Sequence, residues 1–162
     1  MPTQSIDANL EQLLRGRHIA TLGTENTDGS IHLTAVWYLY EDGALFVATS
    51  THTRKFRNVT ARPQASLMVD TRRPGTERGI TAAGKAELIS GARSAEINHR
   101  VHERYLSATA LADPAVGPVF ANFDDVTVRI AVDSWFTWDM ATIDAQYFNK
   151  KLATPGYMMP TE

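Results

Sequence analysis

Two Asp-Gly dipeptides constrain this chain more than any other feature. Asp28-Gly29 and Asp42-Gly43 each stand between runs rich in β-branched and aromatic residues. Asp-Gly favours tight turns whose twist matches that of two antiparallel strands. The flanking runs are "HIATLGTE" (18–25), "IHLTAVWYLYE" (31–41) and "ALFVATS" (44–50), and they are expected to form an antiparallel meander. In the middle run, Ile31, Leu33, Ala35, Trp37 and Leu39 share one face, and His32, Thr34, Val36, Tyr38 and Tyr40 the other. Neither face is wholly polar, so both are expected to be at least partly buried.

Three further strands follow from the same period of two: "QASLMVD" (64–70), "GITAAGKAELI" (79–89) and "DVTVRIAVDSWFTWDM" (125–140). Gly84, inside the second of these, marks a bulge or a close backbone approach. Helical spacing appears in three places. Residues 7–15 carry Leu10, Leu13 and Leu14 on one face, with Asp7 as N-cap and Gly16 as stop. Residues 53–61 follow a run of hydroxyls and end before Pro63. Residues 92–111 form a longer helical stretch, and the tail from Ala141 has little periodicity. That tail (141–162) is expected either to be loose or to dock on a partner. The expected fold is mainly β with short helices: a six-stranded antiparallel barrel in a single domain, 1–162.

Composition narrows the functional classes. Hydrophobic content is 43% and net charge is -2, which argues against a general nucleic-acid binder. No apolar run approaches the roughly 20 residues of a membrane span. The N-terminal stretch lacks the apolar core of a secretory signal, so a cytoplasmic protein with no membrane span is expected. Cysteine is absent, which removes disulfides, thiolate nucleophiles and zinc–thiolate sites together. No phosphate-binding glycine loop, nucleophile elbow or dinucleotide fingerprint is present.

Charge is unevenly spread. From Arg54 to Arg78 the cations are Arg54, Lys55, Arg57, Arg62, Arg72, Arg73 and Arg78, against the acids Asp70 and Glu77. Part of this cluster opens the 53–61 helix, whose first N–H groups and partial positive charge favour phosphate. Thr49, Ser50, Thr51 and Thr53 add hydroxyls. Two readings stay open on spacing alone: a phosphate cradle, or a solvated Arg-rich helix face.

The segments "HIATLGTENTDGSIHLTAVWYLYEDGALFVATS", "RKFRNVTARPQASLMVD" and "GITAAGKAEL", in this order, together with the last strand, resemble the flavin/deazaflavin split-barrel family that includes pyridoxamine 5′-phosphate oxidase. The resemblance implies a six-stranded split barrel and a homodimer with FMN or the deazaflavin coenzyme F420 at the interface. It implies Arg54, Lys55 and Arg57 near cofactor phosphate, with Thr49 and Ser50 beside it. His32, Thr34, Ala35 and Val36 then lie along the ring system, and Arg78 and Gly79 reach the other subunit's cofactor. The characteristic C-terminal substrate segment of pyridoxamine phosphate oxidase is missing and "SWFTWDM" stands in its place, which is more similar to the F420-binding class B of the family. The implied activity is an oxidoreductase passing hydride from reduced F420 to an electrophilic small-molecule acceptor. The alternatives are a non-catalytic F420 carrier and an FMN-dependent oxidoreductase. Catalytic residues are not identified by the sequence.

Other candidates weigh less. Trp37 and Trp138 are candidate walls of a substrate pocket, against the commoner role of core or interface anchor. Tyr38 and Tyr40 are candidate proton donors, with a structural role favoured. His99, His102 and Glu103 invite a metal reading, but no third ligand follows at helical spacing, so an exposed helix face is expected.

Overall fold

The computed structural model of the protein describes residues 6–75 and 77–160. The elements run α1 (Ala8–Arg15), β1 (Ala20–Glu25), β2 (Ile31–Val36), β3 (Leu39–Glu41), β4 (Ala44–Thr49), α2 (Arg54–Ala61), β5 (Gln64–Thr71), β6 (Arg78–Ser90), α3 (Gly91–Tyr105), α4 (Ala108–Ala112), α5 (Gly117–Phe123), β7 (Val126–Asp139) and α6 (Met140–Tyr147). The fold is mainly β and antiparallel, as expected. The described strands number seven rather than six, in the order β2-β1-β5-β6-β7-β4-β3.

The extra strand comes from a break in the run 31–41. β2 pairs with β1, from Ala20 opposite Val36 to Glu25 opposite Ile31. β3 pairs instead with β4 at the far edge of the sheet, with Leu39 opposite Phe46. The three strands are thus not a simple meander. Trp37 and Tyr38 make the corner. Tyr38 turns fully inward and its hydroxyl donates to the Leu14 carbonyl at 2.8 Å. Trp37 stacks on Tyr105, with centroids 5.0 Å apart, and on Phe120, at 5.5 Å. Only three Cα steps, at most about 11 Å, separate Val36 from Leu39. The two edges of the sheet must therefore approach each other, and the sheet curls into a barrel that no β2–β3 ladder closes among the described residues.

The interior follows the period of two. Leu22 of β1, Leu45 and Val47 of β4, Leu67 and Val69 of β5, Ile80 of β6, and Val128 and Ile130 of β7 are all fully buried. Leu13 and Leu14 of α1 plug this core, and Val59 of α2 joins it. Gly84 sits at a register shift in β6, and a Cβ there would lie 2.0 Å from the Ala131 carbonyl oxygen. On the outer surface the middle run behaves unlike its expectation. Ile31 and Leu33 are 64% and 65% exposed. With Met68, Ala83 and Gly23 they line a shallow groove of about 530 Å³.

The segment between β6 and β7 holds three helices, where the sequence suggests one. α3 ends at Tyr105 with Leu106 as its C-cap, and Ser107 then caps α4 through a bond from Ala110 N. Ser94, Asn98 and His102 form a buried polar stripe along α3 at intervals of four. Asn98 Nδ2 donates to the carbonyls of Asp124 and Val126, and Thr127 Oγ1 donates to Asn98 Oδ1 at 2.7 Å. His102 therefore lies inside, not on the exposed face expected for it. His99 keeps to the exposed face with Glu103, 3.2 Å away. In the tail, α6 spans Met140–Tyr147, and buried Asp144 accepts from Leu152 N and Ala153 N, which folds the chain back. No described helix is long and apolar enough to cross a membrane.

Candidate functional site

α2 begins where β4 ends, and its start is fixed from three sides. Thr53 is the N-cap and accepts from Phe56 N at 3.3 Å. Buried Asn58, one turn on, donates to Thr24 Oγ1 and Asn26 Oδ1 and ties the helix to the β1–β2 hairpin. Asp125, just before β7, accepts from both Thr51 N and Thr51 Oγ1 at 2.8 Å. Those two bonds hold the Asp125 carboxyl below the usual carboxylate range. The amides of Arg54 and Lys55, the first two of the helix, have no acceptor among the described residues. Such amides are what a bound anion satisfies.

The hydroxyls divide into two kinds. Thr53 Oγ1 donates to the Ser50 carbonyl at 2.7 Å, so the 3.1 Å contact between Thr49 and Thr53 uses the Thr49 proton. Thr49 thus shapes the loop. Ser50 Oγ accepts from His52 N at 3.2 Å, and its own proton has no acceptor among the described residues. Of the cations, Arg62 is engaged by Glu25 and Arg72 by Asp70. Arg54 and Arg57 are exposed, form no ion pair among the described residues, and Arg57 donates to the His52 carbonyl at 3.1 Å. Lys55 is half-buried, and burial pushes its ammonium below the ordinary lysine value, an effect that the charge of Asp124 partly offsets.

Lys55 points into a pocket of about 350 Å³. The end of β2 supplies Ala35 and Val36 to its wall, the corner after it supplies Trp37, and Ile19 and Ala48 add apolar surface. Phe120 of α5 and Asp124 complete it. The lining is therefore mostly apolar and aromatic, with one partly desolvated cation and one carboxylate. The lining fits a flat apolar group carrying an anion: it combines the Lys55 ammonium with small and aromatic side chains, and the unpaired amides at the start of α2 adjoin it in the chain.

The sequence-predicted residues fall into two groups. Ala35, Val36, Trp37 and Lys55 meet in this pocket, with Thr49, Ser50, Arg54 and Arg57 on the adjoining loop and helix. His32 and Thr34 are half-buried on β2, next along the same strand. Arg78, Gly79 and Trp138 lie elsewhere. Arg78 and Trp138 line a separate cleft with Asp7 and Asn9. Gly79 pairs with Trp138 across the β6–β7 ladder, and a Cβ there would fall 2.5 Å from the indole Nε1. Tyr38 is pushed up to about 12, first by burial and then by Tyr105, which fits its structural bond and not proton donation.

Phe120, Asp124 and Asp125 escaped sequence reasoning. The register of β4 and β7 sets Thr49 opposite Val126, so residues just before 126 stand beside residues just after 49. That pairing is non-local, and only the acidic pair before the last strand hinted at it.

A protein-family model described as pyridoxamine 5′-phosphate oxidase matches residues 6–139. No curated protein matches the sequence significantly. Among solved structures, a conserved hypothetical protein from Mycobacterium tuberculosis superimposes with a TM-score of 0.72 at 22% identity, covering 99% of this chain and 94% of that one. A protein titled F420 reductase gives 0.63 at 17% identity, over 81% of this chain and 98% of its own. A haem storage protein from Vibrio cholerae gives 0.60 at 14%, over 82% and 94%. At these identities the likeness is one of fold.

Proposed function

The chain belongs to the pyridoxamine 5′-phosphate oxidase family, and from that premise we propose that it binds coenzyme F420 and acts as an F420H2-dependent reductase of a small electrophilic acceptor. The observation that carries this reading is the pocket in which Lys55 faces the Ala35–Trp37 wall, beside unpaired amides at the start of α2. A second support is the structural neighbour titled F420 reductase. When bound, the reduced deazaflavin supplies a hydride.

The chain's own residues bind and orient. Lys55, the Arg54 and Lys55 amides and the Ser50 hydroxyl hold the phosphate, with Arg54 and Arg57 drawing the anionic tail by their field. Ala35 and Val36 let a flat ring approach the β2 backbone, and His32 and Thr34 continue along that edge. Trp37 and Phe120 bound the pocket on the acceptor side. The exposed Ile31–Leu33 face fits a second copy of the chain, which would bring Arg78, Gly79 and Trp138 of one subunit toward the cofactor of the other.

The test is a fluorescence titration of the purified protein with oxidised F420 and, separately, with FMN. Micromolar or tighter F420 binding with weaker FMN binding is expected. The reverse order assigns the FMN branch instead, and binding without oxidation of F420H2 by an acceptor panel assigns a carrier. A Soret band on adding haem, without F420 binding, refutes the reading.

A further inference from the structure

The anion seat carries two fixed carboxylates as well as its cations. Asp124 lines the same pocket as Lys55, yet the two form no ion pair within 4.0 Å among the described residues. Its side chain is only 12% exposed and is held by His102 Nε2, 2.7 Å from Oδ2. The Asn98 side chain grips its backbone carbonyl at 2.9 Å. Asp125 occupies the N–H and hydroxyl of Thr51, two donors of the loop that leads into α2. Neither carboxylate can swing away without breaking these bonds.

We propose that Asp124 and Asp125 make this seat selective for a singly charged phosphodiester over a doubly charged phosphomonoester. The inference rests on the function proposed above and refines it. The physical reason is one of scaling. Attraction between an anion and the seat grows in proportion to the anion's charge, while the cost of removing that anion from water grows with the square of the charge. Lys55, the two free amides and the fields of Arg54 and Arg57 supply the attraction. Two nearby carboxylates reduce it, to a level that suffices for one negative charge and fails for two. A phosphate joined to a further group meets this condition. The terminal phosphate of FMN, dianionic at pH 8, does not.

The experiment measures displacement of bound F420, at pH 8 and fixed ionic strength, by riboflavin, FMN and the monomethyl ester of FMN. These share one ring and carry phosphate charges of zero, two and one. The wild-type protein is expected to take the ester more tightly than FMN. Asp124→Asn keeps an acceptor for His102. It is expected to leave riboflavin unchanged, to tighten the ester by about fivefold and to tighten FMN by roughly the square of that, about 25-fold, because the lost repulsion acts on each charge. An ester that displaces F420 no better than FMN, including the case where neither displaces it, overturns the proposal while F420 binding itself stands. Equal changes for all three flavins in Asp124→Asn overturn it as well. Absence of F420 binding by the wild type overturns the functional reading and this proposal together. The wild-type comparison decides the matter even if the variant fails to fold.

Discussion

Lys55→Met isolates the contribution of one charge to the proposed cofactor site. Methionine preserves most of the apolar stem, which is half-buried between α2 and the pocket, and deletes only the ammonium. In the free protein that ammonium is disfavoured, since burial depresses its pKa and Asp124 compensates only in part. Its folded-state pKa lies below the unfolded one, so the unfolded chain holds the proton more tightly, and the associated penalty on folding fades as pH rises toward 10.5. Removing the charge should leave the melting temperature unchanged or slightly higher. Binding should respond in the opposite direction. A charge-assisted hydrogen bond to phosphate contributes about 1.5–3 kcal/mol, or roughly a 10- to 150-fold loss of F420 affinity when it is deleted. Lys55→Arg should lose less, because the charge remains while the fork geometry differs. The assay pairs a fluorescence titration with a thermal melt on the same samples, at low and high salt. Wild-type affinity should fall with salt more steeply than that of Lys55→Met. Unchanged affinity in the methionine variant refutes the assignment of the anion seat. A large drop in melting temperature refutes the claim that Lys55 is kept for binding.

Three other outcomes follow from the fold. Tyr38, pushed up to about 12 in the folded protein, should make stability fall as pH rises from about 10 to 12, because there the folded state holds the proton that the unfolded state releases. The loss is on the order of 2–3 kcal/mol, and urea titrations across that range should show it in wild type and not in Tyr38→Phe. Gly84→Ala forces a Cβ to within 2.0 Å of the Ala131 carbonyl oxygen, so it should cost upwards of about 3 kcal/mol or yield insoluble protein, and a normal melting curve would contradict the bulge geometry. Leu33→Glu, at a position 65% exposed on the outer face of β2, should convert a dimer to a monomer in light scattering without unfolding it; a wild-type protein that is itself monomeric refutes that use of the face.

Much of the architecture is present in short-range patterns. Asp28-Gly29 and Asp42-Gly43 turn the chain where expected, with Gly29 and Gly43 at φ 84° and 72°, the left-handed region that such turns require. Asp7 caps α1 by accepting from Asn9 N and Leu10 N, Thr53 caps α2, and Gly84 marks the bulge. Alternation in β1, β4 and β7 places the core correctly, and the basic start of α2 already sets Lys55 near the end of β4. These features rest on dihedral preferences and on periods of two and 3.6, which act within a few residues and are therefore written in the sequence itself.

What the sequence could not decide is where distant segments meet. The run 31–41 alternates without interruption, yet Tyr38 finds its acceptor at Leu14 and Trp37 its stacking partners at Tyr105 and Phe120, so the strand bends and its halves join opposite edges of the sheet. His102 looks like a surface residue beside His99, until α3 lays the stripe Ser94, Asn98 and His102 against β7 and Asp124. The two carboxylates beside the proposed anion seat arrive there because β4 pairs with β7, nearly eighty residues on. Local chemistry determined that this chain would make strands, turns and a cationic helix start. Curling of the open sheet, a matter of which apolar faces can be buried together, decided which side chains that cation would face.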